Sequence, residues 1–312
     1  MRALVTGVAG FVGSSIAAAL VSEGWDVRGI DALTDYYDTA LKEENLARLD
    51  GAVRVVRADL LEVDLVDLLD GVDVVFHQAG QPGVRSSWGE EFGVYLDANV
   101  AATQALLEAA RLSPQLHRLV YASSSSVYGD AERFPTSELD RPAPISPYGV
   151  TKLAAEHLCS LYASQFGVPT VSLRYFTVFG PRQRPDMAFT RFLTAAARGL
   201  PVTVFGTGEQ VRDFTYVDDV VAANLLAATV PVKPGTVLNI AGGTNVSVNE
   251  VLEEIGGLAG SPVEVRRLAR SDGDVARTGG DASRAREMLG WTPRTGITDG
   301  LARQWEWARA RV

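Results

Sequence analysis

Cysteine is almost missing from these 312 residues: Cys159 stands alone. A single thiol excludes an internal disulfide and a cysteine metal cluster, and nothing marks an oxidising compartment, so the cytoplasm is the expected location. Histidine is nearly as scarce, and His77, His117 and His157 share no metal-ligand spacing, so no catalytic metal is expected. Basic charge is in deficit, with 29 Lys and Arg against 38 Asp and Glu and a formal net charge of −9. That balance leaves no basic face for nucleic acid, although local arginines and helix ends can still hold an anionic nucleotide. No run approaches the roughly 18 apolar residues of a membrane span. The opening MRALVTGVAGFVG carries an arginine and several glycines without a cleavage pattern and is not read as a signal peptide.

What is present is ordinary globular material, 46% hydrophobic and 21% charged. RALVTG, DVRGID, VRVVRAD, DVVFHQA, RLVYASS and PTVSLRYF read as strands rich in Val, Ile and Leu. Helical spacing recurs between them, over 14–23, 65–69, 99–111 and 149–166. Nearly continuous apolar strands alternating with helices predict an α/β fold, a doubly wound parallel sheet covered on both faces. After Phe176 the rhythm changes to a Gly/Pro/Arg-rich loop, FGPRQRPDM, and then shorter elements. A division into 1–175 and a smaller 176–312 is expected, with residues near 213–242 returning to the main sheet.

VTGVAGFVG places Gly7, Gly10 and Gly13 between a first strand and a helix beginning near Phe11 and Val12. Glycines permit a tight turn and close approach of backbone to a pyrophosphate, and the helix start supplies free N–H groups. The spacing is GxxGxxG, and a glycine pattern alone is weak. Context strengthens it: the second strand ends in Asp31, whose carboxylate suits both ribose hydroxyls and repels a 2′-phosphate, which favours NAD over NADP. Asp59 and Leu60 would flank the adenine, and Ala79 and Gly80 are small where the nicotinamide half must pass. Asn99 opens a helix and either caps it or meets the cofactor.

Tyr148 and Lys152 stand at i and i+4, on one face of a helix that starts near Pro147. A phenol ionising near 10 needs a drop of about 3 units, roughly 4 kcal/mol, to act as a base near neutrality. A nearby ammonium and a positive nicotinamide ring both favour the phenolate. Ser124, ending the fifth strand, would hydrogen-bond the same substrate oxygen. By itself such a pair is a solvent-facing helix pair beside a polar loop; behind the glycine turn, Asp31 and five strands, it reads as catalytic.

TGVAGFVG, Asp31, SSSSVYG and YGVTK together resemble the extended short-chain dehydrogenase/reductase superfamily, in its sugar-nucleotide epimerase and dehydratase branch. The likeness extends through VFGTGEQVRDFTYVDDVV and LNIAGG. It implies a Rossmann domain with a smaller nucleotide-sugar domain, a tightly held NAD, and a homodimer built through the Asn99 and Tyr148 helices. It assigns Ser124, Tyr148 and Lys152 as the catalytic set, with Ser125 and Ser126 beside the substrate. The 4,6-dehydratases of the branch carry an acid just after the catalytic residue; Ser125 and Ser126 stand there instead, so elimination is disfavoured and 4-epimerisation expected.

The segment RYFTVFGPRQRPDM, with GVRSSW and DALTDYYDTALKEENLARL, looks like the UDP-glucuronate 4-epimerases. Arg184 is then expected to bind the C5 carboxylate, with Thr177 adding a hydroxyl; Arg182 and Arg184 as solvated or diphosphate-binding groups is the competing reading. Arg85, Arg212 and Arg270 are candidates for substrate contacts and Asp274 for the ribose. UDP-glucose or N-acetyl 4-epimerase, a UDP-glucuronate decarboxylase or 3-epimerase, and a non-catalytic NAD-sensing protein are the alternatives.

Overall fold

The computed structural model describes residues 1–269 and 275–312. Seven parallel strands form the central sheet: β1 (Arg2–Thr6), β2 (Asp26–Asp31), β3 (Val53–Arg57), β4 (Val74–His77), β5 (Arg118–Ser124), β6 (Thr170–Tyr175) and β10 (Thr236–Ile240). Their order is β10-β6-β5-β4-β1-β2-β3. β1, β4 and β5 are buried almost throughout, because helices cover both faces, which is why they appear in sequence as unbroken apolar runs. The pleat divides their side chains: Ala3 and Val5 join one core, Leu4 and Val75 the other.

The first face carries α1 (Phe11–Ser22) and α8 (Val217–Thr229), and its apolar cluster runs on without a break into the C-terminal region through Phe179, Phe189, Phe214 and Tyr216. The second face carries α3 (Leu65–Leu68), α5 (Ala102–Arg111) and α6 (Pro147–Phe166). α1 begins at Phe11, as the glycine turn predicts, and α6 at Pro147, where Ser146 caps it by accepting the Gly149 N–H at 3.1 Å. A further helix, α2 (Thr39–Ala47), is capped by Asp38 and lies within a stretch whose helical pattern is weak.

Beyond β6, a three-stranded sheet joins β7 (Thr177–Phe179), β9 (Val211–Tyr216) and β11 (Thr244–Ser247), and β8 (Val202–Phe205) pairs with β12 (Val265–Leu268). α7 (Ala188–Ala197), α9 (Val248–Ala259), α10 (Ser283–Leu289) and α11 (Ile297–Arg309) complete this region. Of residues 213–242, it is β10 that pairs with the main sheet, along β6, while α8 packs on α1. No helix among the described residues is long and apolar enough to cross a membrane.

α5 does not begin at Asn99. One helical run starts with α4 (Phe92–Tyr95), passes through a π-helical turn at Leu96–Ala101 and continues as α5. Asn99 therefore lies inside the run, and its expected role as a helix cap is corrected.

Candidate active site

The strand order reverses between β1 and β4, so the connections leaving their carboxyl ends part to opposite faces and open a crevice. Gly7 leaves β1 with φ +67°, and a Cβ there would lie 2.8 Å from the Ala79 nitrogen. A Cβ on Gly13 would sit on the Gly7 carbonyl. Gly10, which donates its N–H to Gly7 O at 3.0 Å, precedes Phe11, Val12 and Gly13, whose amides have no intrahelical partner in a first helical turn. Backbone with no side chain in the way and several amides pointing outward fits a pyrophosphate. Asp31 accepts N–H groups from Ala9 at 2.9 Å and Leu33 at 2.8 Å, which fixes the carboxylate and leaves acceptor capacity for hydroxyls. Asp59 accepts the Leu61 N–H at 2.8 Å, and Leu60 is buried in the core.

On the other side of the crevice, Ala79 donates its N–H to Thr6 Oγ1 at 3.0 Å. Gly80 passes between two functional side chains: a Cβ on it would be 2.7 Å from Asn99 Oδ1 and 3.6 Å from Lys152 Nζ. Asn99 itself clamps the following loop, accepting the Gln81 N–H at 2.8 Å and donating to Gln81 O at 3.1 Å and to Thr151 Oγ1 at 3.0 Å. Together the glycine cradle, Asp31 and the narrow passage at Gly80 fit NAD.

Lys152 is buried, with Nζ 4.8 Å from the centroid of the Tyr121 ring, and burial pushes its pKa down to about 8. Burial raises Tyr148, while a hydrogen bond from Ser124 and the charge of Arg184 pull it back toward the phenolate. Ser124 is held at the strand end by accepting the Ser126 N–H at 3.1 Å. One turn beyond Lys152, the Glu156 carboxylate accepts Ser123 Oγ–H at 2.6 Å and both Arg174 Nε–H and Nη2–H, at 2.9 and 2.6 Å. Arg174 also donates to the Tyr128 hydroxyl at 2.6 Å, and Tyr128 to Asn239 Oδ1 at 2.7 Å. This buried network ties α6, the helix of Tyr148 and Lys152, to β5, β6 and β10.

Arg184 belongs with this group: its charge acts on Tyr148, although its Nε and Nη2 edge is held by Asp186 at 3.0 and 2.9 Å. Thr177 opens β7 directly after the main sheet. Ser125 and Ser126 form the half-buried 3-10 turn after Ser124. Arg85 and Arg212 are engaged elsewhere, Arg85 over the Phe205 ring at 4.2 Å and Arg212 on the carbonyls of Val211 and Val275. Arg270 and Asp274 lie outside the described residues. Sequence reasoning missed Tyr95, fully buried with its ring edge-to-face to Tyr148 at 6.3 Å; its place four residues before Asn99 was the available signal.

The sequence matches the NAD dependent epimerase/dehydratase family over residues 3–241. It is 42% identical over 307 residues to a protein of Bacillus subtilis named an uncharacterized UDP-glucose epimerase, YtcB, covering 97% of this chain and 96% of that one. The UDP-glucuronic acid 4-epimerase of Bacillus cereus, solved with UDP-glucuronic acid and NAD, is 39% identical, with a TM-score of 0.96 and full coverage of both chains. MoeE5, solved with UDP-glucuronic acid and NAD, is 44% identical with a TM-score of 0.91, again covering both chains in full. With the cradle, the Tyr148–Lys152 helix and these likenesses in agreement, the chain belongs to the NAD-dependent epimerase/dehydratase family.

Proposed function

We propose that this NAD-dependent epimerase acts on nucleotide sugars and inverts C4 of UDP-glucuronate, giving UDP-galacturonate. Bound NAD would take up and return hydrogen at C4, so that the sugar passes through a 4-ketone. Tyr148 removes the proton of the 4-hydroxyl, Ser124 hydrogen-bonds the same oxygen, and Lys152 holds the cofactor ribose and adds positive charge. Ser125 and Ser126 follow Ser124 without any acid, so the site offers no second group to drive elimination. The feature that supports the uronate reading is Arg184, a cation whose charge favours the Tyr148 phenolate. A 4-keto uronate is a β-keto acid, and a carboxylate held by Arg184 and Thr177 is protected against loss of carbon dioxide. Arg212 would serve the diphosphate or uridine and Arg85 the substrate only by leaving the Val211 and Val275 carbonyls and the Phe205 ring; 1–175 is the proposed cofactor unit and 176–312 the sugar-nucleotide unit.

One observation favours UDP-glucose as the alternative: Asp186 already pairs with Arg184, so a neutral C5 substituent would leave no unpaired cation. Replacing Arg184 by Ala separates the two. Loss of a charge-assisted pair is expected to raise KM for UDP-glucuronate about tenfold or more and leave UDP-glucose within about twofold. An equal effect on both sugars would remove Arg184 from carboxylate recognition. A cytoplasmic homodimer is the proposed state, supported by the apolar residues Val94, Val150 and Leu161, exposed on α4 and α6.

A further inference from the structure

Tyr95 is a large buried side chain that the epimerisation chemistry leaves unused, and it touches two parts of the site at once. Its ring meets Tyr148 at a centroid separation of 6.3 Å and an interplanar angle of 76°. Its hydroxyl lies 2.9 Å from Pro82 O, 2.9 Å from Gly83 O and 2.7 Å from Ser86 Oγ. Carbonyls only accept, so the Tyr95 proton is committed to them and the Ser86 hydroxyl must donate to Tyr95. Tyr36, 3.3 Å from Ser86 Oγ, then donates to Ser86. The chain of donors runs from Tyr36 through Ser86 and Tyr95 into the backbone of the loop that leaves β4. Gly83 bends that loop at φ +104°, where any Cβ would strike the hydroxyls of Tyr36 and Ser86. The same loop is clamped at Gln81 by Asn99 and carries Arg85 over to Phe205. Tyr36 and Tyr95 raise the Tyr148 phenol electrostatically and Arg184 lowers it.

We propose that Tyr95 is a positioning residue with two separable tasks: its ring holds the Tyr148 phenol, and its hydroxyl fixes the loop of Pro82–Ser86 across the sugar site. The proposal rests on Tyr148 being the base but on no particular sugar.

The test uses the full-length, cofactor-loaded protein, whichever sugar nucleotide it turns over, and the variants Tyr95→Phe, Tyr95→Leu and Tyr148→Phe. Tyr95→Phe keeps the ring contact and loses the anchor. Its kcat should stay within about twofold and its pH profile unchanged, while KM rises about fivefold or more. Trypsin should also cut faster after the exposed Arg85. Tyr95→Leu should in addition lower kcat about tenfold and move the rising limb of the kcat–pH profile by about half a unit or more. Wild-type KM and Arg85 cleavage in Tyr95→Phe would overturn the loop task, and wild-type kcat and pH profile in folded Tyr95→Leu would overturn the ring task. Tyr95→Phe preserves buried volume and decides the loop task even should Tyr95→Leu not fold. Activity retained by Tyr148→Phe would instead sink the base assignment itself.

Discussion

Burial raises the Tyr148 phenol, yet its proposed work requires a phenolate. The protein supplies part of the correction through Ser124 and Arg184, and the positive nicotinamide ring would supply more when bound. Removing the phenol should therefore cost about 10²–10⁴-fold in kcat, the usual worth of a positioned base, with the fold intact by circular dichroism. Two other buried residues oppose each other in stability. Burial pushes His77 down to about 3, so its stabilisation is present above the ordinary value of 6.5 and is lost as pH falls toward 3. Burial pushes Asp213 up to about 6, so its stabilisation is present below 3.8 and is lost as pH rises through 6. Asp213→Asn should leave the His77 effect unopposed, and urea midpoints between about pH 4 and 6 should fall more steeply on acidification than in the wild type. Parallel profiles would remove Asp213 from this balance. At this scale the sequence shows residue types but not their partners: Arg184 was legible as a cation, whereas its pairing with Asp186 depends on the path of the loop.

The strands and α6 were readable because burial on both faces, or an i, i+4 pair after a Ser-Pro start, leaves a local pattern. The π-helical turn at Leu96–Ala101 leaves none, which is why Asn99 looked like the start of a helix. α2 was missed because only Lys42 and Asn45 of its residues are buried, which leaves no apolar stripe to read. Two elements carry testable weight. Glu156→Ala would leave Arg174 charged and buried without its carboxylate, and should destabilise the protein by about 3–5 kcal/mol in chemical denaturation. Gly13→Ala would force α1 away from the Gly7 carbonyl, so NAD binding measured by calorimetry should weaken at least about tenfold.

Across the whole molecule, the sheet brings Asp31, Gly80, Ser124 and the Tyr148 helix to one end from positions spread over more than a hundred residues, and the C-terminal region follows from Thr177 onward. The glycine turn after β1 and the acid ending β2 were legible because short motifs record glycines and an acid at strand ends. The surroundings of the proposed sugar residues were not, because Arg184 and Arg85 lie on loops whose path, to Asp186 and to Phe205, no motif records. The central claim, 4-epimerisation of a uronate, is tested most directly by incubating the protein separately with UDP-glucuronate and UDP-glucose and identifying products by NMR and mass. The account predicts UDP-galacturonate of unchanged mass from the acid, with UDP-glucose turned over far more slowly. Fast conversion of UDP-glucose with the acid untouched, or a product lighter by carbon dioxide, would contradict it.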